Sequence, residues 1–271
     1  MGELQQNANF GLSLVTHDLR HTNLNTLSNQ KVNSRVIGSG IIFKKENLPT
    51  ALQATANLEA EFVTLQNKDT DNTTGKSDRL TIQYTPATST IFNCEGVQVT
   101  NASSKTIVQR YYVAESPQQV TGEPTSYSLY CDAASYDGAG LVGLNTNAQQ
   151  IMQRVDAFKV RLGVKNPAGQ LRYMTINEYI TAMATIRAAC ATPIDEGICA
   201  KTYLNVVSMD IGILSRSTGT IGADASLNTQ TSFNVAGTPV TLSGDVAVNK
   251  RYLRQAVNQV VAIRNTLGAS S

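Results

Sequence analysis

The spacing of apolar residues changes along the chain, and the first segment has helical spacing. Up to residue 20, apolar side chains recur every three or four positions, which places them on one face of a helix. Asn23 and Asn25 break this pattern, so we predict that the helix ends before them. The residues of this face are Leu4, Ala8, Leu12, Val15 and Leu19, and Phe10 and Leu14 widen it.

From residue 78 the apolar residues recur at every second position, as they do in half-buried antiparallel strands. Leu80, Ile82 and Tyr84 illustrate the pattern, because each is followed or preceded by a polar residue. Further strands are predicted at 107–113, 127–131, 158–164 and 206–214, with a hairpin at 233–242, and residues 149–155 lead into the strand at 158–164.

Four other segments have different patterns. Residues 175–189 return to helical spacing, and 67–75 are predicted to form a loop. Residues 51–65 and 251–265 fit either a helix or a strand. Together the patterns predict an α+β fold in a single domain, residues 1–271, with an N-terminal amphipathic helix packed on antiparallel β-sheet and with long loops.

The composition excludes several classes of protein. Only 15% of the residues are charged, against about 25% in an average soluble domain, and 89 of the 271 residues are Thr, Asn, Ser or Gln. The formal net charge of +2, without a basic cluster, argues against nucleic-acid binding, which needs concentrated Lys and Arg. No run approaches the roughly 18 apolar residues that a membrane-spanning helix needs.

Two short motifs resemble known functional sites, but both are incomplete. His17-Asp18-Leu19-Arg20-His21 spaces two histidines as zinc proteases do, yet the chain has no third histidine, so we interpret the motif as a solvated polar face. Asp69-Thr70-Asp71-Asn72 lacks the glycine and the glutamate of a calcium loop and leaves at most a weak cation site. The sequence therefore predicts neither catalytic residues nor a cofactor nor a metal site.

The four cysteines indicate disulfide bonds and not a zinc site. The residues Cys94, Cys131, Cys190 and Cys199 contain no Cys-x-x-Cys pair, and both histidines lie far away in the sequence. Four cysteines allow three pairings. Disulfides would place the protein outside the reducing cytosol, whereas the polar start of the chain is no signal peptide. We therefore expect the chain to be a truncated form of an exported protein.

Five segments occur in an order that one protein family shares. They are Leu4-Gln5-Gln6-Asn7 with Asp18-Leu19-Arg20, Ser77-Asp78-Arg79-Leu80, Leu129-Tyr130-Cys131, the valine-rich run that ends in Arg216-Ser217, and Val261-Ala262-Ile263-Arg264-Asn265. This order resembles that of the type IV minor pilins, in particular the PilW group, which is related to the J-type pseudopilins of type II secretion. The resemblance covers nearly the whole chain and implies that 1–27 are the C-terminal half of the pilin helix, that 78–265 form the antiparallel β region, and that 257–265 are a strand.

The resemblance implies a pilin-like fold and a non-enzymatic minor pilin. Such a protein takes part in a tip or priming complex that initiates pilus assembly and supports adhesin display, twitching motility and DNA uptake. The implied partners are other minor pilins, the major pilin and a PilY-type tip adhesin. The implied location is the inner membrane and periplasm before assembly and the extracellular pilus tip afterwards. Membrane anchoring would depend on an N-terminal apolar helix that this chain lacks.

The resemblance also implies that the cysteines are oxidised in the periplasm. Of the three pairings we predict Cys94–Cys131 and Cys190–Cys199. The first two cysteines follow strand-like runs that can lie side by side, and the other two close one short loop.

Three residues of the helical segment are candidates for a partner interface. Phe10, Leu14 and Arg20 are expected on the part of the helix that the sheet does not cover, and simple packing is the alternative explanation for the two apolar residues. A guanidinium at Arg20 can make two parallel hydrogen bonds to a carboxylate of a neighbour. The alternative function for the whole chain is an extracellular ligand- or glycan-binding β module.

Overall fold

The structure is a computed structural model, and it describes residues 2–27, 31–138, 140–190 and 193–264. Among these residues, none of the helices has both the length and the apolar composition needed to cross a bilayer. The helices are α1 (Gly2–Leu19), α2 (Ile176–Ala188), and the single turns α3 (Glu196–Cys199) and α4 (Val246–Asn249).

The N-terminal helix is where the apolar spacing predicted it. It ends at Leu19, and Asn23 and Asn25 follow with positive φ angles of 67° and 48°. Asparagine adopts this left-handed backbone more readily than most residues that carry a Cβ. The two asparagines therefore turn the chain away from the helix axis, and the helix is shorter than the segment 1–27 that the resemblance implied.

The strands are numbered in chain order through the described residues. They are β1 (Leu65–Asp69), β2 (Ser77–Tyr84), β3 (Thr90–Phe92), β4 (Gln98–Thr100), β5 (Thr106–Glu115), β6 (Tyr127–Tyr136), β7 (Gln149–Gln153), β8 (Val155–Lys165), β9 (Leu171–Thr175), β10 (Asn205–Thr220), β11 (Ser232–Val235), β12 (Thr238–Thr241) and β13 (Tyr252–Ala262).

Two antiparallel sheets account for most of these strands, which confirms the predicted α+β class. Sheet 1 has the order β1-β2-β5-β6-β7 and sheet 2 the order β13-β10-β8-β9, while β3 with β4 and β11 with β12 form separate hairpins. The β region begins at Leu65 and not at residue 78. The loop predicted at 67–75 is wrong at its start, because β1 pairs there with β2. β13 is the strand that the resemblance favoured, although Asn265 lies outside the described residues.

Helix α1 lies across both sheets and closes the main core. It contacts β10 and β13 of sheet 2 and β7 of sheet 1. Its core side consists of Ala8, Leu12, Val15 and Leu19, and at most 2% of each residue is exposed. Burial of a Leu or Val side chain stabilises a fold by about 1.5–3 kcal/mol, so this face holds the helix firmly on the sheets.

The outer face of sheet 1 is covered as well, which the alternating pattern did not predict. Every residue of β2 is buried, including the polar ones. The side chain of Gln83 donates to the carbonyl of Ser39 at 2.7 Å, and the hydroxyl of Thr81 donates to the carbonyl of Phe62 at 2.5 Å. The prediction of half-buried strands is wrong here. The segment 39–63 covers the polar face of β2 and supplies carbonyl groups that accept its hydrogen bonds.

The covering segment itself is neither a helix nor a strand over most of its length. Within 51–65, the chain forms a 3₁₀ turn at Thr50–Leu52 and a π-helical turn at Leu58–Phe62. Leu52, Leu58 and Phe62 are buried in a second, smaller core cluster against sheet 1. Their irregular spacing follows from these turns, which explains why neither periodic pattern fitted the segment.

A buried carboxylate joins the two sheets. Asp78 on β2 accepts the backbone N–H of Val160 on β8 at 2.9 Å and lies 3.3 Å from the ammonium of Lys159. Only 3% and 2% of the two charged side chains are exposed. Burial raises the pKa of Asp78, and the Lys159 charge opposes that shift. The pair therefore fixes β2 against β8 with hydrogen bonds that the core alone would not provide.

One residue passes the chain from sheet 1 to sheet 2. Arg154 separates β7 from β8 and has a φ of 56°, so residues 149–155 do not continue into β8 as one strand. Its carbonyl accepts the backbone N–H of Arg216 at 3.0 Å, and its guanidinium lies 2.6 Å from Glu123. These contacts hold Arg154 in a backbone conformation that residues with a Cβ adopt infrequently.

Beside this junction, Asp156 lies between two buried arginines. Its carboxylate accepts a hydrogen bond from Arg254 at 2.7 Å and one from the amide of Asn72 at 2.6 Å, and it lies 3.4 Å from Arg216. The exposed fraction is 0% for the Asp156 and Arg216 side chains and 2% for that of Arg254. Burial lowers the pKa of the Arg216 guanidinium, and Asp156 opposes this effect.

Candidate interaction surface

The buried side of α1 determines which residues face outwards. Gly11 allows the helix to approach sheet 1 closely, because a Cβ at this position would lie 2.6 Å from the sulfur of Met152 on β7. The side chain of Thr16 lies 3.3 Å from that of Gln259 on β13, which fixes the helix against sheet 2 as well. With two sheets contacting one side, the helix cannot rotate to bury a different face.

Phe10 and Leu14 lie on the outward side, one helical turn apart. Their exposed fractions are 66% and 44%, which is high for large apolar residues in an otherwise well-packed protein. Arg20 is also exposed, but it lies just past the helix end and about 15 Å from Phe10 along the helix axis. The structure thus brings the two apolar candidates together and separates them from Arg20.

A groove adjoins Phe10. It has a volume of about 540 Å³ and lies between the first turns of α1 and the ends of β7 and β10. β10 pairs with β8 only as far as Ser215, so its last residues extend beyond β8 and form one wall. Leu4, Phe10 and Ile151 line the opposite side. The helix therefore presents an apolar pair next to a depression that a protruding side chain can enter.

The end of α1 carries the histidine motif, and its aspartate points into the protein. The hydroxyl of Tyr111 donates to Asp18 at 3.0 Å, and the ring of His21 stacks on Tyr84 with centroids 5.4 Å apart. Burial raises the pKa of Asp18, while the Tyr111 hydrogen bond and the nearby His17 and His21 oppose the shift. The interpretation as a solvated face is correct for His17, which is exposed, and wrong for Asp18.

We expect Asp18→Asn to raise the free energy of unfolding at neutral pH by about 0.3–1 kcal/mol, the range for removal of an unfavourable charge from a helix terminus. Burial raises the pKa of Asp18 in the folded state, so the stability linked to its proton is present below the ordinary value of 3.8 and is lost as the pH rises through the folded pKa. Asparagine keeps an acceptor for Tyr111 and removes a negative charge from the helix C-terminus.

Urea denaturation between about pH 3 and pH 8 measures this effect, and the advantage of the variant should grow with pH. Asp224→Asn removes an exposed carboxylate and serves as the matched control, with no change expected. An Asp18→Asn protein that is less stable than the parent at neutral pH would contradict the assignment.

The carboxylates of the Asp69-Thr70-Asp71-Asn72 motif bind other groups of the protein. Asp69 forms an ion pair with Arg79, and the carboxylate of Asp71 accepts the backbone N–H of Thr73 at 2.7 Å and the hydroxyl of Ser77 at 2.6 Å. In the described parts of the chain, no group of three or more His, Cys, Asp or Glu side chains is placed to hold a metal ion. The motif therefore fixes the turn that leads into β2.

Both predicted disulfides are present. Cys94–Cys131 joins the β3–β4 hairpin to β6, and its Cα atoms are 6.1 Å apart. Cys190–Cys199 joins the end of α2 to α3 with a Cα separation of 6.0 Å. Each bridge attaches a short peripheral element to the main core, and Ala191 and Thr192 of the second loop lie outside the described residues.

Comparison with known proteins identifies the family. The family model described as "Type IV Pilus-assembly protein W", PilW, matches residues 110–265, which is more than half of the chain. The chain belongs to the PilW family. The structure is also similar to that of a type IV-like pilin from Thermus thermophilus, with a TM-score of 0.41 and 10% sequence identity over 98% of each chain. No curated protein matches the sequence.

Membership in the PilW family makes this chain a type IV pilus protein with a pilin role. The family match begins in β5 and continues past β13, so it covers all of sheet 2. Proteins of this kind are generally structural and interact with other components of the pilus, in the periplasm or on the extracellular pilus. The interaction surfaces are therefore the functional feature to seek in this PilW-family chain.

The groove beside Phe10 could not be predicted from the sequence. Its walls come from four places, residues 3–11, 151–154 and 215–219 and Leu253, which the fold brings together. The helical spacing indicated only that Phe10 and Leu14 lie near the edge of the apolar face. No local pattern shows that β10 extends beyond β8 at this end of the molecule.

Proposed function

We propose that this PilW-family protein is a minor pilin that works in a tip or priming complex with other minor pilins. The complex initiates pilus assembly, receives the major pilin and carries a PilY-type adhesin, and through the pilus it supports twitching motility and DNA uptake. The family match supports the pilus assignment. The observation that supports partner binding is the exposed Phe10–Leu14 pair on a helix whose other side is fixed by two sheets.

The distribution of binding free energy in protein interfaces favours Phe10 and Leu14 as the residues that anchor a partner. A few well-packed apolar or aromatic residues contribute most of the binding free energy, and rigid presentation lowers the entropy lost on binding. Phe10 and Leu14 share one face of an 18-residue helix, and the groove next to Phe10 can receive a side chain from a neighbour. Arg20 contributes a charge about 15 Å away, outside the apolar centre.

We expect the double variant Phe10→Ala and Leu14→Ala to reduce surface piliation severely when it replaces the chromosomal copy. Both side chains are exposed, so the free energy of unfolding should change by no more than about 1 kcal/mol for the two substitutions together. Electron microscopy of the pili and co-purification of the other minor pilins measure the effect. Phe92→Ala is the matched control, because Phe92 is 68% exposed and lies away from α1 on the β3 hairpin.

Arg20→Glu tests the charged end of the same surface. Charge reversal should lower piliation and partner co-purification without unfolding the domain, and Arg251→Glu, at another exposed arginine, should leave both unchanged. If the apolar double variant and Arg20→Glu both leave piliation and co-purification intact, α1 is the wrong surface and the proposal for it is rejected.

A further inference from the structure

β9 is an edge strand, and the backbone of one side is open. It pairs with β8 alone in sheet 2. The N–H of Asn166 donates to the carbonyl of Gln170 at 3.1 Å at the turn between the two strands. Because hydrogen-bonded pairs alternate along antiparallel strands, Arg172 exchanges backbone hydrogen bonds with β8. Leu171 and Tyr173 therefore direct their N–H and C=O groups away from the sheet.

This edge has only some of the features that usually protect one. Native edge strands are blunted by short length, by charged side chains, by proline, by a bulge or by a covering element. β9 is five residues long and carries the charge of Arg172. β9 contains no proline and keeps an unbroken register with β8. Leu171 and Tyr173 are 56% and 39% exposed, so the strand also offers apolar contacts beside its open backbone.

A groove runs between β9 and α2. Two adjoining hollows of about 560 and 620 Å³ share Arg172 and Ala182 and extend along the strand. The helix wall carries the small side chains of Thr181, Ala182 and Thr185 at its middle, and Asn177, Glu178 and Ile186 towards its ends. Adjacent strands need a spacing of only about 4.8 Å, so small residues on the opposite wall leave room for one more extended chain.

The hollow of about 560 Å³ beside Leu171 is positively charged, because Arg172 is the one charged residue in its described lining. Arg172 lines both hollows, and the ion pairs of the described residues do not include it. Glu178 lines the other hollow, where its carboxylate accepts the N-cap backbone N–H of α2 at 2.7 Å and keeps its negative charge. An acidic side chain that enters the hollow beside Leu171 would therefore meet the charge of Arg172.

We propose that β9 binds an extended, acidic segment of a partner protein, which adds to sheet 2 as a fifth strand and lies in the groove against α2. Strand addition obtains affinity from backbone hydrogen bonds and specificity from alternate side chains. Leu171 and Tyr173 supply the backbone groups, and Arg172 selects an acidic residue. This surface is separate from the α1 face and stands whether or not that face binds minor pilins.

The test uses synthetic eight-residue peptides that alternate valine with a charged residue, with blocked ends. Fluorescence anisotropy compares a glutamate peptide with the same peptide carrying lysine, and we expect the glutamate peptide to bind at least about tenfold more tightly. N-methylation of every second peptide amide provides the strand-specific measurement. One set of methylations should abolish binding and the other set should not, because only alternate amides face β9.

Two protein variants complete the test. Arg172→Glu should reverse the preference in favour of the lysine peptide. Tyr173→Pro removes an outward N–H, which an edge strand tolerates, and should abolish binding with little change in melting temperature. If that variant does not fold, binding of the N-methylated peptides to the unchanged protein still tests strand addition at β9. Absence of binding by the glutamate peptide, equal effects of the two methylation sets, or unchanged preference in Arg172→Glu would each overturn the proposal.

Discussion

Replacement of Asp156 by alanine is expected to lower the free energy of unfolding by about 3–5 kcal/mol. The carboxylate lies between the buried guanidinium groups of Arg216 and Arg254 and also accepts the amide of Asn72. Its removal leaves two positive charges without a counterion in a region that excludes water. The attraction that is lost exceeds that of a surface ion pair, which contributes about 0–1 kcal/mol.

Urea denaturation with linear extrapolation measures this loss. Asp224→Ala removes an exposed carboxylate and should change the free energy of unfolding by less than about 0.5 kcal/mol. Asp156→Asn keeps the shape of the side chain and one acceptor, so its loss should lie between those of the other two variants. A loss of less than about 1 kcal/mol for Asp156→Ala would show that the two arginines do not depend on this counterion.

Removal of the Cys94–Cys131 bridge by replacement of both cysteines with alanine is expected to cost about 4 kcal/mol. The bridge closes a loop with a sequence separation of 37, and the entropy that a cross-link removes from the unfolded chain increases with loop length. Cys131 is also fully buried, so alanine leaves a small void in the core.

The Cys190–Cys199 bridge supplies the matched control for the same chemistry. Its sequence separation is 9, and the corresponding double alanine variant should lose only about 2.5 kcal/mol. Denaturant unfolding of both variants without reductant gives the order of the two losses. Equal losses, or a larger one for Cys190–Cys199, would contradict the dependence on loop length.

The parts of the fold that follow from local spacing could be predicted. The α1 stripe from Leu4 to Leu19 and the alternation along β8 depend on neighbours within a few residues, and both elements occur where the sequence placed them. Thr175 and Glu178 form a capping box at the start of α2, which is another short-range signal. Such features need no knowledge of the rest of the chain.

The burial of polar residues could not be predicted, because it depends on distant segments. Gln83 on β2 faces what an alternating pattern treats as solvent, and it is buried only because the segment that contains Ser39 covers it. Asp156 gave no signal either, since its partners Asn72, Arg216 and Arg254 come from three separate regions of the chain. Long-range contacts of this kind decide which charges are paired.

The two proposed interaction surfaces also differ in how much of each could be predicted from the sequence. Phe10 and Leu14 were candidates because they lie at the margin of the helical stripe, and the structure shows both exposed. The groove between β9 and α2 gave no signal, because an edge strand is recognised only from the strand order of the whole sheet. The sequence patterns predicted no strand at 171–175, where β9 lies, and could not show that one side of such a strand lacks a neighbour.

Arg154 is the one residue between β7 and β8. We therefore expect homologous genes to keep the number of codons at this junction constant. A single inserted or deleted residue that shifted the register of β8 by one position would reverse the orientation of every side chain in that strand and turn Phe158 and Val160 out of the core. Substitutions at this codon preserve the register, although the φ of 56° at Arg154 favours glycine or asparagine among the replacements. Homologous genes are therefore expected to acquire insertions elsewhere, as in the mostly exposed stretch 224–230, where added residues leave both sheets in register.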